Sequence, residues 1–200
     1  MKKTLLITMM CCIGSLCAQA QWSFGVKAGA TYSTMGDPLS KTVDIEANHR
    51  LGPVAGLMAA LKLNDDFSLQ GEIDYARRGF KTDLYVDMAN SKRDWNFSFH
   101  YIDLPILLQY RLFGKPLYLE LGPKLGYLID SSSNIEDYDE DVSFNYDTNK
   151  MDFGLVGGIG VDISDHISGD IRYYHGLTNA TKSPGKGKHH GFEISIGYWF

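Results

Sequence analysis

The apolar side chains of this chain recur at every second position, which is the period of a β-strand. In the last ten residues one face is apolar throughout, and the other is mostly small or polar. That apolar face carries Phe192, Ile194, Ile196, Tyr198 and Phe200. The same alternation occurs in residues 22–33, 53–63, 67–80, 102–112, 117–129, 152–163, 167–177 and 191–200. The pattern therefore predicts an all-β chain of eight strands.

The connections between these segments alternate between short and long. The tight turns are residues 64–66, 113–116 and 164–166. The long, polar loops are residues 35–52, 81–98, 130–151 and 179–190. This layout predicts an eight-stranded antiparallel up-and-down transmembrane β-barrel of a bacterial outer membrane. Because the number of strands is even, both termini are expected at the periplasmic end, where the turns are short.

One segment breaks the alternation. Trp95, Phe97, Phe99 and Tyr101 lie in the opposite phase to the apolar positions of residues 102–112. Either a β-bulge shifts the register near His100, or the upper part of this strand stands above the lipid.

The face opposite the apolar one carries charges of both signs in similar number. A soluble barrel such as a lipocalin also alternates, but it turns its apolar face inward. The long loops and the aromatic end of the chain favour the membrane arrangement, with the charges in the lumen. The predicted interior polar network comprises Glu72, Asp74, Arg78, Asp103, Arg111, Glu120, Lys124, Asp162, Asp170, Arg172 and Glu193.

The N-terminus is typical of a signal peptide. Two lysines precede about a dozen apolar residues, and Ala18-Gln19-Ala20 resembles a cleavage site. Residues 1–20 are therefore expected to be removed, together with all three cysteines, which leaves a barrel domain over residues 21–200. A lipoprotein anchored at Cys17 is not favoured, because Leu16 stands where small residues are needed. The net charge of −5 makes nucleic acid an unexpected partner.

The C-terminal aromatic residues are expected to serve two purposes. Tyr198 and Phe200 would join the aromatic girdle at the periplasmic interface, where such rings prefer to lie. They also resemble the C-terminal signal that the barrel-assembly machinery of the outer membrane recognises. That machinery is accordingly an expected partner.

The polar residues suggest little catalytic chemistry. An eight-stranded lumen is filled by its own side chains, so a packed polar plug is favoured over a proton or ion path. An enzyme at the extracellular rim would need converging catalytic groups, such as His49, His189 and His190 from the loops. We expect no catalytic, cofactor or metal site. The acidic third loop has no EF-hand spacing, and the basic fourth loop is expected to meet that loop or anionic lipopolysaccharide.

Four motifs resemble those of the PorT-like outer-membrane β-barrel family of Bacteroidetes. They are YIDLPILLQYRL (101–112), LYLELGPKLGYL (117–128), FGLVGGIGVDI (153–163) and IRYYHGLTN (171–179). The resemblance implies an eight-stranded barrel in the outer membrane, in contact with its lipid and lipopolysaccharide. One named member of the family is associated with type IX secretion. Two roles are therefore expected: a structural or surface-interaction barrel, or an accessory component with an envelope protein partner.

Overall fold

A computed structural model describes residues 22–36, 48–86, 91–112, 116–135, 149–179 and 187–200. These residues form eight strands, as the alternation predicted. The strands are β1 (Trp22–Gly36), β2 (Asn48–Lys62), β3 (Phe67–Val86), β4 (Ser91–Arg111), β5 (Leu117–Ile135), β6 (Met151–Asp162), β7 (Ile167–Gly176) and β8 (Lys188–Trp199). The predicted signal peptide lies outside the described residues, as do residues 21, 37–47, 87–90, 113–115, 136–148 and 180–186.

The strands close into a single antiparallel barrel in sequence order. Each strand pairs with the next, and β8 returns to β1 with Ala28 opposite Ile196. The closure reaches the last residue, since the Phe200 N–H donates to the Phe24 carbonyl at 2.9 Å. The predicted fold class is confirmed.

The two faces of the sheet differ sharply in polarity. Large apolar side chains cover the outer surface; Leu57 is 61% exposed and Ile196 is 63% exposed. Charged side chains such as Glu72 and Arg172 are buried inside the barrel. This distribution is the reverse of that in a soluble barrel, where the apolar face lines the lumen. The membrane arrangement is therefore the correct one.

Aromatic rings lie on the outer surface at both ends of this apolar band. The end with the short turns is predicted to be periplasmic, and it is called the periplasmic end below. There Phe67 contacts Tyr110, and Tyr198 contacts Phe200, with ring centroids 5.0 and 5.9 Å apart. Phe200 is 78% exposed, so its ring lies on the outer surface. At the other end the outward rings are Tyr32, Tyr75, Tyr127, Tyr173 and Phe192. Two such bands are the girdles that flank the hydrocarbon region of a membrane barrel.

The anomalous phase before residue 102 is explained without any break in β4. The pairing of β4 with β3 runs in one register from Phe67 opposite Tyr110 to Val86 opposite Ser91. The register shift lies between β4 and β5, where β5 carries one extra residue at Ile129. Phe99 and Tyr101 are buried and share the inward phase of Asp103. A bulge is present, but it is in the neighbouring strand.

The predicted bounds of the long loops were wrong, because strands extend into each of them. β2 begins at Asn48, β3 and β4 run to Val86 and from Ser91, β5 ends at Ile135, and β8 begins at Lys188. Above the lipid both faces of a strand meet water or polar groups, so the apolar alternation ceases although backbone pairing continues.

The wall of the barrel is uneven in height. β3, β4 and β5 contain 20, 21 and 19 residues, whereas β6, β7 and β8 contain 12, 10 and 12. The extracellular rim is therefore tall along β3–β5 and short along β6–β8. Among the described residues, no helix is long and apolar enough to cross a membrane.

Candidate functional site

Two groups of charged side chains fill the lumen, one above the other. Their inward direction follows from the strand period, which turns every second residue toward the barrel axis. The lower cluster, nearer the periplasmic end, comprises Lys27, Glu72, Asp74, Glu120, Asp170, Arg172 and Glu193. The upper cluster comprises Arg78, Asp103, Lys124, Asp152 and Tyr174.

Arg172 in β7 is the centre of the lower cluster. Its Nε lies 2.6 Å from Glu120 Oε1 and 3.0 Å from Asp170 Oδ1. Its Nη1 donates to Glu72 Oε2 at 2.8 Å and is 3.8 Å from Glu193 Oε1. The planar guanidinium therefore links carboxylates of β3, β5, β7 and β8, which is the multidentate binding to which arginine is suited.

Lys27 in β1 is the second cation of the lower cluster. Its Nζ donates to Glu193 Oε1 at 2.7 Å and to Glu72 Oε2 at 3.0 Å. Asp74 Oδ2 is more distant, at 3.6 Å. Lys27 thus joins the two strands that close the barrel, because it lies in β1 and Glu193 lies in β8. Its bond to Glu72 also links β1 to β3 across the lumen.

The upper cluster is centred on Arg78 in β3. Its guanidinium donates to Asp103 and, at 3.2 Å, to Asp152 Oδ2, which also accepts from Tyr174 Oη at 2.8 Å. The Arg78 and Lys124 cations lie 4.7 and 3.7 Å from the Tyr174 ring centroid. Aromatic faces therefore supply part of the negative potential around these cations.

An aromatic layer covers the upper cluster on its extracellular side. The Tyr101 ring lies 4.9 Å from the Arg78 guanidinium, and its hydroxyl is 3.3 Å from His189 Nε2. His189 is fully buried, with the Phe99 ring 5.5 Å away. The prediction that His189 and His190 lie in a loop was wrong, because both belong to β8.

Arg111 and Asp162 lie apart from the two clusters. They form a mutual ion pair at the periplasmic mouth, where their side chains are 38% and 31% exposed. The other residues of the predicted interior network belong to one of the two clusters. Arg111 and Asp162 thus share the inward phase but not the burial.

Several side chains of the lumen were absent from the predicted network. Lys27 and Asp152, which the alternation already places on the charged face, carry key ion pairs. Tyr101, Tyr174 and His189 surround Arg78 or cover it. The signal in the sequence was the phase of these residues. Tyr174 is two residues from Arg172, and His189 is four residues from Glu193, so each lies on the same face of its strand as a charged residue of the lumen.

The space left between these side chains is small. A cavity of about 10 Å³ lies beside Thr31, Ser33, Arg78, Lys124 and Tyr174, which is room for about one water molecule. Among the described residues, no group of three or more histidine, cysteine or acidic side chains is arranged to hold a metal ion. Over the described residues, the lumen is thus filled by charged groups, most of which are bonded to one another.

Comparisons with known proteins agree with this geometry. A family model described as outer membrane protein beta-barrel domain matches residues 17–182. The crystal structure of Neisserial surface protein A is 16% identical, with a TM-score of 0.60; the alignment covers 90% of this chain and 99% of that one. Ail of Yersinia pestis, bound to the heparin analogue sucrose octasulfate, is also 16% identical over the same shares, with a TM-score of 0.49. At such identities the likeness concerns the fold alone. No curated protein matches the chain.

Proposed function

Because the chain belongs to the outer membrane protein beta-barrel domain family, we propose that it is a non-enzymatic barrel with a structural or surface-interaction role. Its location is the outer membrane. The observation that carries the proposal is the filled lumen, where Arg172 and Lys27 bind carboxylates from four strands. A barrel without an open passage acts through its outer wall and its extracellular end.

The outer wall offers polar groups to lipid headgroups just above the upper aromatic band. Arg77 follows Tyr75 on the outward face of β3, and its Nη2 donates to Ser98 Oγ at 3.2 Å. Beside it the Tyr75 hydroxyl is 2.6 Å from His100 Nδ1. An arginine at this height suits the phosphates of lipopolysaccharide.

The positions of the histidines support a non-enzymatic role. His189 is buried beneath aromatic rings, whereas His49 stacks on Tyr32 at 4.6 Å and His100 lies beside Tyr75 on the outer wall. General acid–base catalysis needs such groups within hydrogen-bond reach of one substrate. In the described part of the chain they point into different environments.

A conductance measurement tests the proposal most directly. Full-length protein in a planar lipid bilayer is expected to show no stable conductance above that of the bare membrane. A porin inserted under the same conditions serves as the positive control. A steady, protein-dependent conductance would show that the lumen is not closed and would favour the alternative that it is an ion path.

The last residues are proposed to be the signal read by the barrel-assembly machinery. Tyr198 and Phe200 lie side by side on the outer surface at the periplasmic end. Deleting Phe200 is expected to reduce the amount of heat-modifiable barrel in the outer membrane. Phe192→Ala, on the same face at the other end of β8, is the matched control. Equal loss in both variants would indicate a general packing effect.

An accessory role in secretion is the second candidate, and the four PorT-like motifs favour it. A strain lacking the gene would then lose proteins from its secreted fraction, and the barrel would co-purify with another envelope protein. An unchanged secreted fraction would favour the structural or surface-interaction role.

A further inference from the structure

The lower cluster contains more negative than positive groups. Its five carboxyl groups come from β3, β5, β7 and β8, and among the described residues they form ion pairs with only two cations, Lys27 and Arg172. The remaining lumen cations near it are Lys124 and Arg78, which are bound to Asp103 and Asp152 in the upper cluster. If all five were ionised, the lower cluster would carry a net charge of −3. A buried uncompensated charge is strongly unfavourable.

We infer that the lower cluster is a proton-binding site, and that Asp74 carries a proton in the folded barrel at neutral pH. The proton lowers the net negative charge of the lower cluster from −3 to −2, since Lys27 and Arg172 balance only two of its five carboxyl groups. This inference goes beyond the proposed function, because it concerns the lumen and not the use made of the extracellular end.

Hydrogen bonding distinguishes Asp74 from its neighbours. Glu72 and Glu120 each accept from Arg172 and from a glutamine, Gln70 or Gln109. Asp170 accepts from Ser195 Oγ at 2.9 Å, and Glu193 accepts from Lys27. These groups behave as acceptors, as carboxylates do.

Asp74 has no comparable support. Its closest cation is Lys27 Nζ at 3.6 Å, which is beyond a hydrogen bond. Its Oδ1 is buried, and no hydrogen-bond donor among the described residues reaches it. An ionised carboxylate left this way would be poorly solvated, whereas a protonated one is neutral.

The proximity of Glu72 also favours the protonated form of Asp74. Glu72 lies two residues earlier on the same face of β3, and Lys27 contacts both carboxyl groups. Two carboxyl groups that share one ammonium repel each other when both are ionised. A proton on Asp74 removes that repulsion and leaves Glu72 as the ionised partner of Lys27 and Arg172.

Infrared spectroscopy tests the inference on the full barrel in lipid vesicles. A protonated carboxyl group has a carbonyl stretch distinct from that of a carboxylate. The wild-type barrel is expected to show this band at neutral pH. In Asp74→Asn its intensity should fall by that of one carboxyl group per chain. Asp162→Asn, which removes a carboxylate paired at the periplasmic mouth, should leave the band unchanged.

Other outcomes would overturn the proton assignment. A band of full intensity in Asp74→Asn would mean that the proton is on another residue. The absence of any such band in the wild-type barrel would mean that no carboxyl group is protonated. If thermal stability then rose with K⁺ but not with equal choline, the counter-charge would be a small cation. If Asp74→Asn failed to fold, the wild-type spectrum would still test whether the barrel holds a protonated carboxyl group, because that measurement needs no variant.

Discussion

The two clusters occupy one lumen, but their buried charges are compensated in different ways. The upper cluster pairs two cations with two carboxylates and lays the cations against the rings of Tyr101 and Tyr174. The lower cluster surrounds two cations with five carboxyl groups and adds only neutral donors, such as Gln109 and Ser195. Loss of a cation should therefore be most damaging in the lower cluster, and loss of a carboxylate most damaging in the upper one.

Replacing Arg172 with methionine is expected to have the largest effect. Glu72, Glu120 and Asp170 would lose their main partner, and breaking a buried ion pair costs about 3–5 kcal/mol of stability. The variant is expected to unfold at much lower urea in lipid vesicles, or to fail to assemble. Arg111→Met, at the partly exposed mouth, is the matched control and should cost about 0–1 kcal/mol. Equal losses would contradict the central position of Arg172.

Neutralising one aspartate in each cluster should give unequal losses. Asp152→Asn leaves Arg78 with a single full partner, Asp103, and should cost about 3 kcal/mol, as expected for a broken buried pair. Asp170→Asn removes negative charge from a cluster with an excess of it, keeps an acceptor for Ser195, and should cost less than about 1 kcal/mol. The free energies of unfolding can be compared in the same vesicles. A larger loss in Asp170→Asn would refute the difference between the clusters.

Removing one hydroxyl group tests the aromatic contribution to the upper cluster. Tyr174→Phe keeps the ring against Arg78 and Lys124 but removes the hydrogen bond to Asp152. Hydrogen bonds to charged groups contribute about 1.5–3 kcal/mol, so the expected loss of unfolding free energy lies in that range. No change in the urea midpoint would mean that Asp152 is held by Arg78 alone.

The smallest effect is expected at the exposed ion pair of the first turn. Lys62 Nζ lies 2.8 Å from Asp65 Oδ1 in water. The hydrogen bond and charge of Lys62 lower the pKa of Asp65. Any stabilisation from this pair is present above the ordinary aspartate pKa and is lost as the pH falls through the lowered one. Because solvent screens the pair, Asp65→Asn should leave the unfolding midpoint unchanged at neutral pH. A clear drop would show that exposed pairs matter here too.

Much of the fold could be predicted because lipid and lumen impose opposite polarity on alternate residues. The alternation failed as a guide above the lipid, where strands such as β4 extend through water without an apolar face. For Phe99, Tyr101 and His189 the phase is that of inward-facing residues, but an aromatic side chain does not by itself show whether it covers a polar cluster or faces lipid. The pairing of cations with carboxylates could not be predicted from the sequence. Arg172 and Glu72, for example, are 100 residues apart, and their contact depends on strand tilt and register across the lumen.

The closure of the barrel has a consequence for the order in which the protein can fold. Lys27 of the first strand and Glu193 of the last are bonded across 166 residues of sequence. The sheet therefore depends on contacts of very high sequence separation, which form slowly. Until the last residues have been synthesised, β1 has no β8 to pair with, and its edge stays open to other chains. Closure of the barrel must therefore follow the synthesis of β8.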